Sequence, residues 1–121
     1  MEYRILYEAW KKEKESSELQ PLHKGFYAEA SALVRAEREE TQLLDERSLR
    51  AKLLAKERER TDRLLADLVE TRLQKICRIV LKGEPPSTEL LATEEDGIAN
   101  GLSAANNDFD GVLKAVLAGR P

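Results

Sequence analysis

The sequence has few of the residues from which small catalytic and metal sites are built. Its 121 residues include one cysteine and one histidine. A lone Cys77 excludes an intrachain disulfide and a cysteine-based zinc site. Between Ile76 and Arg78 in an apolar stretch, it is expected to be a buried structural thiol. A lone His23, in the turn-like run Gln20-Pro21-Leu22-His23-Lys24-Gly25, leaves no partner for a Ser-His-Asp arrangement. No Gly-rich phosphate loop is present, and no nucleophile sits beside a base. An enzyme is not expected, and no cofactor or metal is implied. Aromatic residues make up only 5% of the chain. No apolar run approaches the ~20 residues that span a bilayer, and Met1-Glu2-Tyr3-Arg4 does not resemble a signal peptide. No membrane association is expected.

Charge is what the chain has in quantity. Charged residues make up 36%, against ~25% in an ordinary soluble domain. They nearly cancel, to a net −3, so this is not the high-net-charge profile of a disordered chain. The signs are unevenly spread. Residues 1–82 carry 18 Lys/Arg and 16 Asp/Glu, whereas residues 83–113 carry seven acids and no base. That acidic segment is unsuited to phosphate contact. The basic side is Arg72, Lys75, Arg78 and Lys82, with no acid after Glu70 in the central helix. It reads either as dipole-complementing charge near a helix end or as a weak nucleic-acid footprint lacking interleaved aromatics.

Helical periodicity dominates and strand alternation is missing, so an all-α fold is expected. Tyr3, Leu6, Tyr7 and Trp10 share one face of a first helix over about 3–15. Ser16 and Ser17 break it, and Leu19-Gln20-Pro21-Leu22 forms a link, because residues before proline avoid the helical region. A long, charged second helix is expected from about Lys24–Tyr27 into the fifties, held by propensity and by opposite-charge pairs such as Glu46–Arg50. Its leucines, Leu43, Leu44, Leu49 and Leu53, read either as points on a solvated, protruding helix or as contacts to another subunit.

The third helix, about 61–81, places Leu65, Val69, Arg72, Ile76 and Ile79 at a 4-3 spacing. Leu64, Leu68, Leu73 and Val80 widen that surface, as a central helix requires. Arg72 on this seam must be paired or reach solvent. Gly83-Glu84-Pro85-Pro86 ends the helix. Thr93 is the expected N-cap of the fourth, with Glu94, Glu95 and Asp96 in its first turn. Ile98, Leu102, Ala105, Phe109, Val112 and Val116 then repeat regularly despite Gly97, Gly101, Gly111 and three asparagines. Packing, with Gly97 and Gly101 permitting close approach, is expected to hold this helix.

Three motifs together resemble the GINS family of DNA replication factors. Leu19-Gln20-Pro21-Leu22 followed by Phe26-Tyr27, after a helix containing Trp10, resembles the family's L-x-P-L … F-Y. Arg72-Leu73-Gln74-Lys75-Ile76 resembles its R-L-x-K-I signature. Leu90-Leu91-Ala92-Thr93-Glu94-Glu95 is similar to its L-T-x-E-E helix start. The resemblance spans about residues 3–117 and is to the archaeal form with the helical domain first, related to the eukaryotic Sld-five/Psf-one subunits.

The resemblance implies a four- to five-helix bundle over 1–117. Residues 118–121 would begin a linker, and no β pattern for the family's small C-terminal domain follows. It also implies a non-catalytic scaffold joining MCM helicase to a Cdc45/RecJ-like partner, and in archaea to primase or polymerase. Other GINS subunits would complete a homo- or heterotetramer, with weak or no direct DNA binding. The site would be cytoplasmic in an archaeon and nuclear in a eukaryote. Trp10, Pro21, Phe26 and Tyr27 would fix the first helix onto the second. Arg72, Lys75 and Ile76 would hold the central signature, with Arg72 as an ion-pairing or carbonyl-binding residue. Leu43, Leu44, Leu49, Leu53, Leu102 and Phe109 are the candidate subunit interface. The alternative is a generic cytosolic helical adaptor or coiled-coil partner.

Overall fold

The computed structural model describes residues 1–120. It holds α1 (Tyr3–Glu15), α2 (Phe26–Gln42), α3 (Leu49–Leu81), a 3₁₀ turn (Thr88–Leu90) and α4 (Thr93–Leu117). Among the described residues the fold is all-α, a four-helix arrangement. Of the expected linker, Ala118, Gly119 and Arg120 follow α4, Gly119 in the left-handed region at φ +73°; Pro121 lies outside the described residues.

The long helix is the third, not the second. α3 has 33 residues, about 50 Å at 1.5 Å per residue, and α2 stops at Gln42. The interruption is polar. Asp45 Oδ1 accepts from the Arg47 N–H, and the Ser48 hydroxyl donates to Asp45 O and accepts the Ala51 N–H at 3.1 Å. Short polar side chains that bond to local backbone compete with helix, and Ser48 thereby becomes the N-cap of α3. Glu, Arg and Leu on both sides favour helix strongly enough to hide this signal. The break lets α2 fold back on α3, where Thr61 Oγ1 donates to Glu37 Oε1 at 2.9 Å and Arg50 meets Glu40 at 3.2 Å. Ser48→Ala should lower stability by about 1 kcal/mol, read as a reduced urea midpoint at constant m.

α3 is the spine on which the other three helices lie. α1 runs in its direction: the Arg60 guanidinium lies 4.4 Å from the Tyr3 ring centroid, Trp10 bonds to Asp67, and Glu13 pairs with Arg72. α4 also runs with α3, from Glu95 at Arg72 to Asn106, whose amide donates to Val80 O at 3.2 Å. It then continues past Leu81, where α3 ends. Leu6, Leu22, Phe26, Leu68 and Ala92 form the core where α1, α2 and α3 meet. Leu19, Ile76, Val80, Leu91 and Ala99 form a second core under α4. α1 and α2 are thus joined mainly through α3, and the polar end of Trp10 reaches α3 rather than α2.

The buried stripe of α3 is rotated from the expected seam. Thr61, Leu68, Arg72, Lys75, Ile76 and Val80 are buried, while Val69 and Leu73 are exposed. The reason is placement: α1, α2 and α4 cover only part of an apolar surface that is wider than one stripe. α4 departs in three ways. Its N-cap is Ala92, with Thr93 the first helical residue, because the Glu95 carboxylate accepts the Ala92 N–H and the Thr93 N–H is taken by Lys24 O. Gly97 and Gly101 face open space, so they serve no close helix approach. The expected packing reaches only to Asn106, and Phe109 and Val116 are 64% and 63% exposed.

Candidate functional site

Four charged side chains, Arg72 and Lys75 from α3, Glu13 from α1 and Glu95 from α4, are buried together. The charges balance, two positive and two negative. The guanidinium of Arg72 uses every donor. Nε and Nη2 bind Glu95 bidentately at 2.8 Å each, and Nη2 also reaches Leu90 O at 2.9 Å. Nη1 donates to Glu13 Oε1 at 2.7 Å and to Gln20 O. The Lys75 ammonium donates to Glu13 Oε2 and Glu13 O, both 2.6 Å, and to Ser16 O and Glu18 O at 2.8 and 3.0 Å. Lys75 therefore satisfies Glu13 O and Ser16 O at the C-terminal end of α1, where a cation also complements the helix dipole. Tyr27 OH donates to Glu95 Oε2 at 2.8 Å, and the Gln20 N–H to Glu13 Oε2 at 3.2 Å.

Electrostatics follow from this geometry. Burial alone would raise the Glu95 carboxyl, but the Arg72 guanidinium, the Ala92 N–H and the Tyr27 hydroxyl hold it below the usual carboxylate range. Burial alone would lower Arg72, but Glu95 and Glu13 hold it above its ordinary value. Burial, reinforced by the Glu95 charge, pushes the Tyr27 phenol far above its usual value. Since Glu95 titrates lower in the fold than in the unfolded chain, its stabilisation is complete above the ordinary carboxylate range. It is lost as pH falls through the lowered value. Glu37 has the opposite sign, because burial raises it, but it is only partly enclosed. The melting temperature should therefore fall between pH 7 and about pH 3. In Glu95→Gln it should start lower and change less over the same range; circular dichroism melts at several pH values check this.

Burial changes how the bases of α3 are read. Arg72 and Lys75 are neutralised and unavailable to phosphate, which leaves Arg78 and Lys82 of that row exposed. The sequence places Lys75 on the basic side with Arg78 and Lys82, and only the packing of α1 shows it to be internal. Glu13, amid Lys11, Lys12 and Lys14, gave no sign of burial. The one signal was a charged residue on an apolar seam, and it was present at Arg72. Among the other family-signature positions, Phe26 and Ile76 are buried, Tyr27 and Trp10 are half-buried, and Pro21 is exposed.

The candidate interface leucines do not form one surface. Leu43, 86% exposed, lies with Leu49 and Leu53 near the α2–α3 turn, and Leu44 there is half-buried. Leu102 and Phe109 lie near the other end of α3. There a continuous apolar strip follows the α3–α4 seam. One groove of about 210 Å³ is lined by Tyr27, Val69, Leu73 and Ile98. The next, about 330 Å³, is lined by Cys77, Leu81, Leu102, Ala105 and Phe109. Cys77 is thus a half-buried lining residue, not a core thiol, because α4 covers that side of α3 only in part. Beyond it, Val112 and Val116 extend the strip along α4. No protein-family model, curated protein or solved structure matches this chain significantly.

Proposed function

We propose that this chain is a non-catalytic scaffold subunit of the GINS complex. In that role it joins the MCM helicase to a Cdc45/RecJ-like partner, with primase or polymerase, at the replication fork. The observation that carries this reading is the convergence of its three motifs on one guanidinium. Arg72, from the R-L-x-K-I segment, binds Gln20 O of the L-x-P-L segment. It also binds Leu90 O and the Glu95 carboxylate of the third. Leu22 N–H donates to Leu90 O at 3.1 Å, tying the first segment to the third directly. That the three segments interlock supports reading them as parts of one signature.

The apolar strip of α3 and α4 supplies the scaffold's contact surface. Residues 107–117, rich in poor helix formers, run beyond the end of α3 with their large apolar side chains mostly exposed, so a second subunit is what would hold and cover them. Light scattering after size exclusion should give a dimer or tetramer, alone or with a replication paralogue. Phe109→Asp/Val116→Asp should reduce it to a folded single chain. A wild-type chain that stays monomeric at micromolar concentration and ignores the paralogue would overturn the reading and favour a helical adaptor.

A further inference from the structure

The edge where α1 lies along α3 carries a second surface, independent of the α3–α4 strip and of the family reading. On α3, Lys52, Lys56, Arg60 and Arg63 fall within one ~80° arc, because their separations of four, four and three residues nearly complete whole turns. All four are exposed. Among the described residues none forms an ion pair, unlike Arg4, Lys11, Lys14 and Arg50. Glu57 and Glu59 flank the row without pairing to it. At its end Asp67 is already engaged, accepting from Trp10 Nε1 at 2.7 Å and meeting Lys14 at 3.2 Å.

From Arg60 onward, where the row meets the start of α1, Tyr3, Tyr7 and Trp10 continue it as an aromatic ladder with centroid spacings of 6.5 and 5.8 Å. Arg60 over the Tyr3 ring joins the two rows, and Tyr7 is 40% exposed. Half of the chain's six aromatic residues are spent on this one edge, beside four bases without acidic partners. We infer that this edge binds single-stranded nucleic acid, with Lys52, Lys56, Arg60 and Arg63 on successive phosphates and Tyr7 stacking a base. Cationic tracks with aromatic platforms are the physical basis of single-strand binding. An acidic peptide would use the bases but not the rings. The four bases span about 16 Å of helix at roughly 4.5–6 Å intervals, room for about four nucleotides of extended single strand, the lower end of single-strand site sizes.

Fluorescence anisotropy with a labelled 20-nucleotide oligo(dT) tests this on the whole chain. Four phosphate contacts predict a log–log salt slope of about −3, hence roughly fifty-fold weaker binding at 200 mM than at 50 mM salt. Lys52→Gln/Lys56→Gln/Arg63→Gln keeps helix propensity and the Arg60–Tyr3 contact. It should weaken binding at least tenfold and cut the slope to about −1. Tyr7→Leu should cost about fivefold or more with the slope unchanged, as loss of one stacked base predicts. Arg78→Gln/Lys82→Gln should bind as the wild type does. The inference is overturned if oligo(dT) does not bind at 50 mM salt, or if the Arg78/Lys82 variant loses as much as the triple variant. It is equally overturned if duplex DNA binds as tightly, or if polyglutamate competes as well as unlabelled oligo(dT).

Discussion

Arg72→Met is expected to lower stability by about 3–5 kcal/mol, a large fraction of the ~5–15 kcal/mol of an ordinary domain. The loss comes less from the arginine than from what it leaves behind. Glu95 would lose both guanidinium bonds, Glu13 would lose one of its two cations, and Gln20 O and Leu90 O would each lose a donor at partly buried positions. Arg72→Lys should recover little, since one ammonium cannot span acceptors arranged around a planar fork. Adding Glu95→Gln and Glu13→Gln to Arg72→Met should restore part of the loss by removing carboxylates no longer compensated. Urea unfolding followed at 222 nm measures all four proteins. A single-variant loss under ~1 kcal/mol would mean that the cluster is wetter than its geometry implies.

Leu68→Ala should cost about 2–5 kcal/mol. Leu68 is fully buried where α1, α2 and α3 meet, against Leu6, Leu22 and Phe26. Its side chain is held by three helices whose spacing is fixed elsewhere by the ionic cluster, so the cavity cannot readily close. Leu43→Ala and Leu53→Ala, which change the same atoms on the exposed α2–α3 turn region, should stay within about 0.5 kcal/mol. The same denaturation experiment compares the three. Equal losses at all three positions would mean that the outer leucines are covered in solution.

The helical class was readable because the 3.6-residue period is written into the spacing of Tyr3, Leu6, Tyr7 and Trp10 and of the leucines of α3. The boundary between α2 and α3 was hidden. Asp45 and Ser48 offered a capping signal, but Glu, Arg and Leu on both sides favour one continuous helix almost as well. What decides against that helix is the chance for α2 to fold back and bury Phe26 and Ala30. In α4, sequence regularity pointed to packing along the whole helix, yet periodicity reports only that a face is apolar, not that this chain supplies its cover. The result is a strip that ends in Phe109, Val112 and Val116 with no neighbour of its own.

The candidate cluster divides the same way. The sequence alone required Arg72 either to be paired or to reach solvent, since an uncompensated buried guanidinium is costly. It also determined that α4 would open with acids. It could not say that Glu13, one of many acids on a charged helix, would be the second counter-ion, or that Lys75 would be internal while Arg78 and Lys82 stayed outside. Those identities depend on the angle at which α1 and α4 cross α3. A crossing angle is set by side chains from separate segments meeting at once, which no local spacing records.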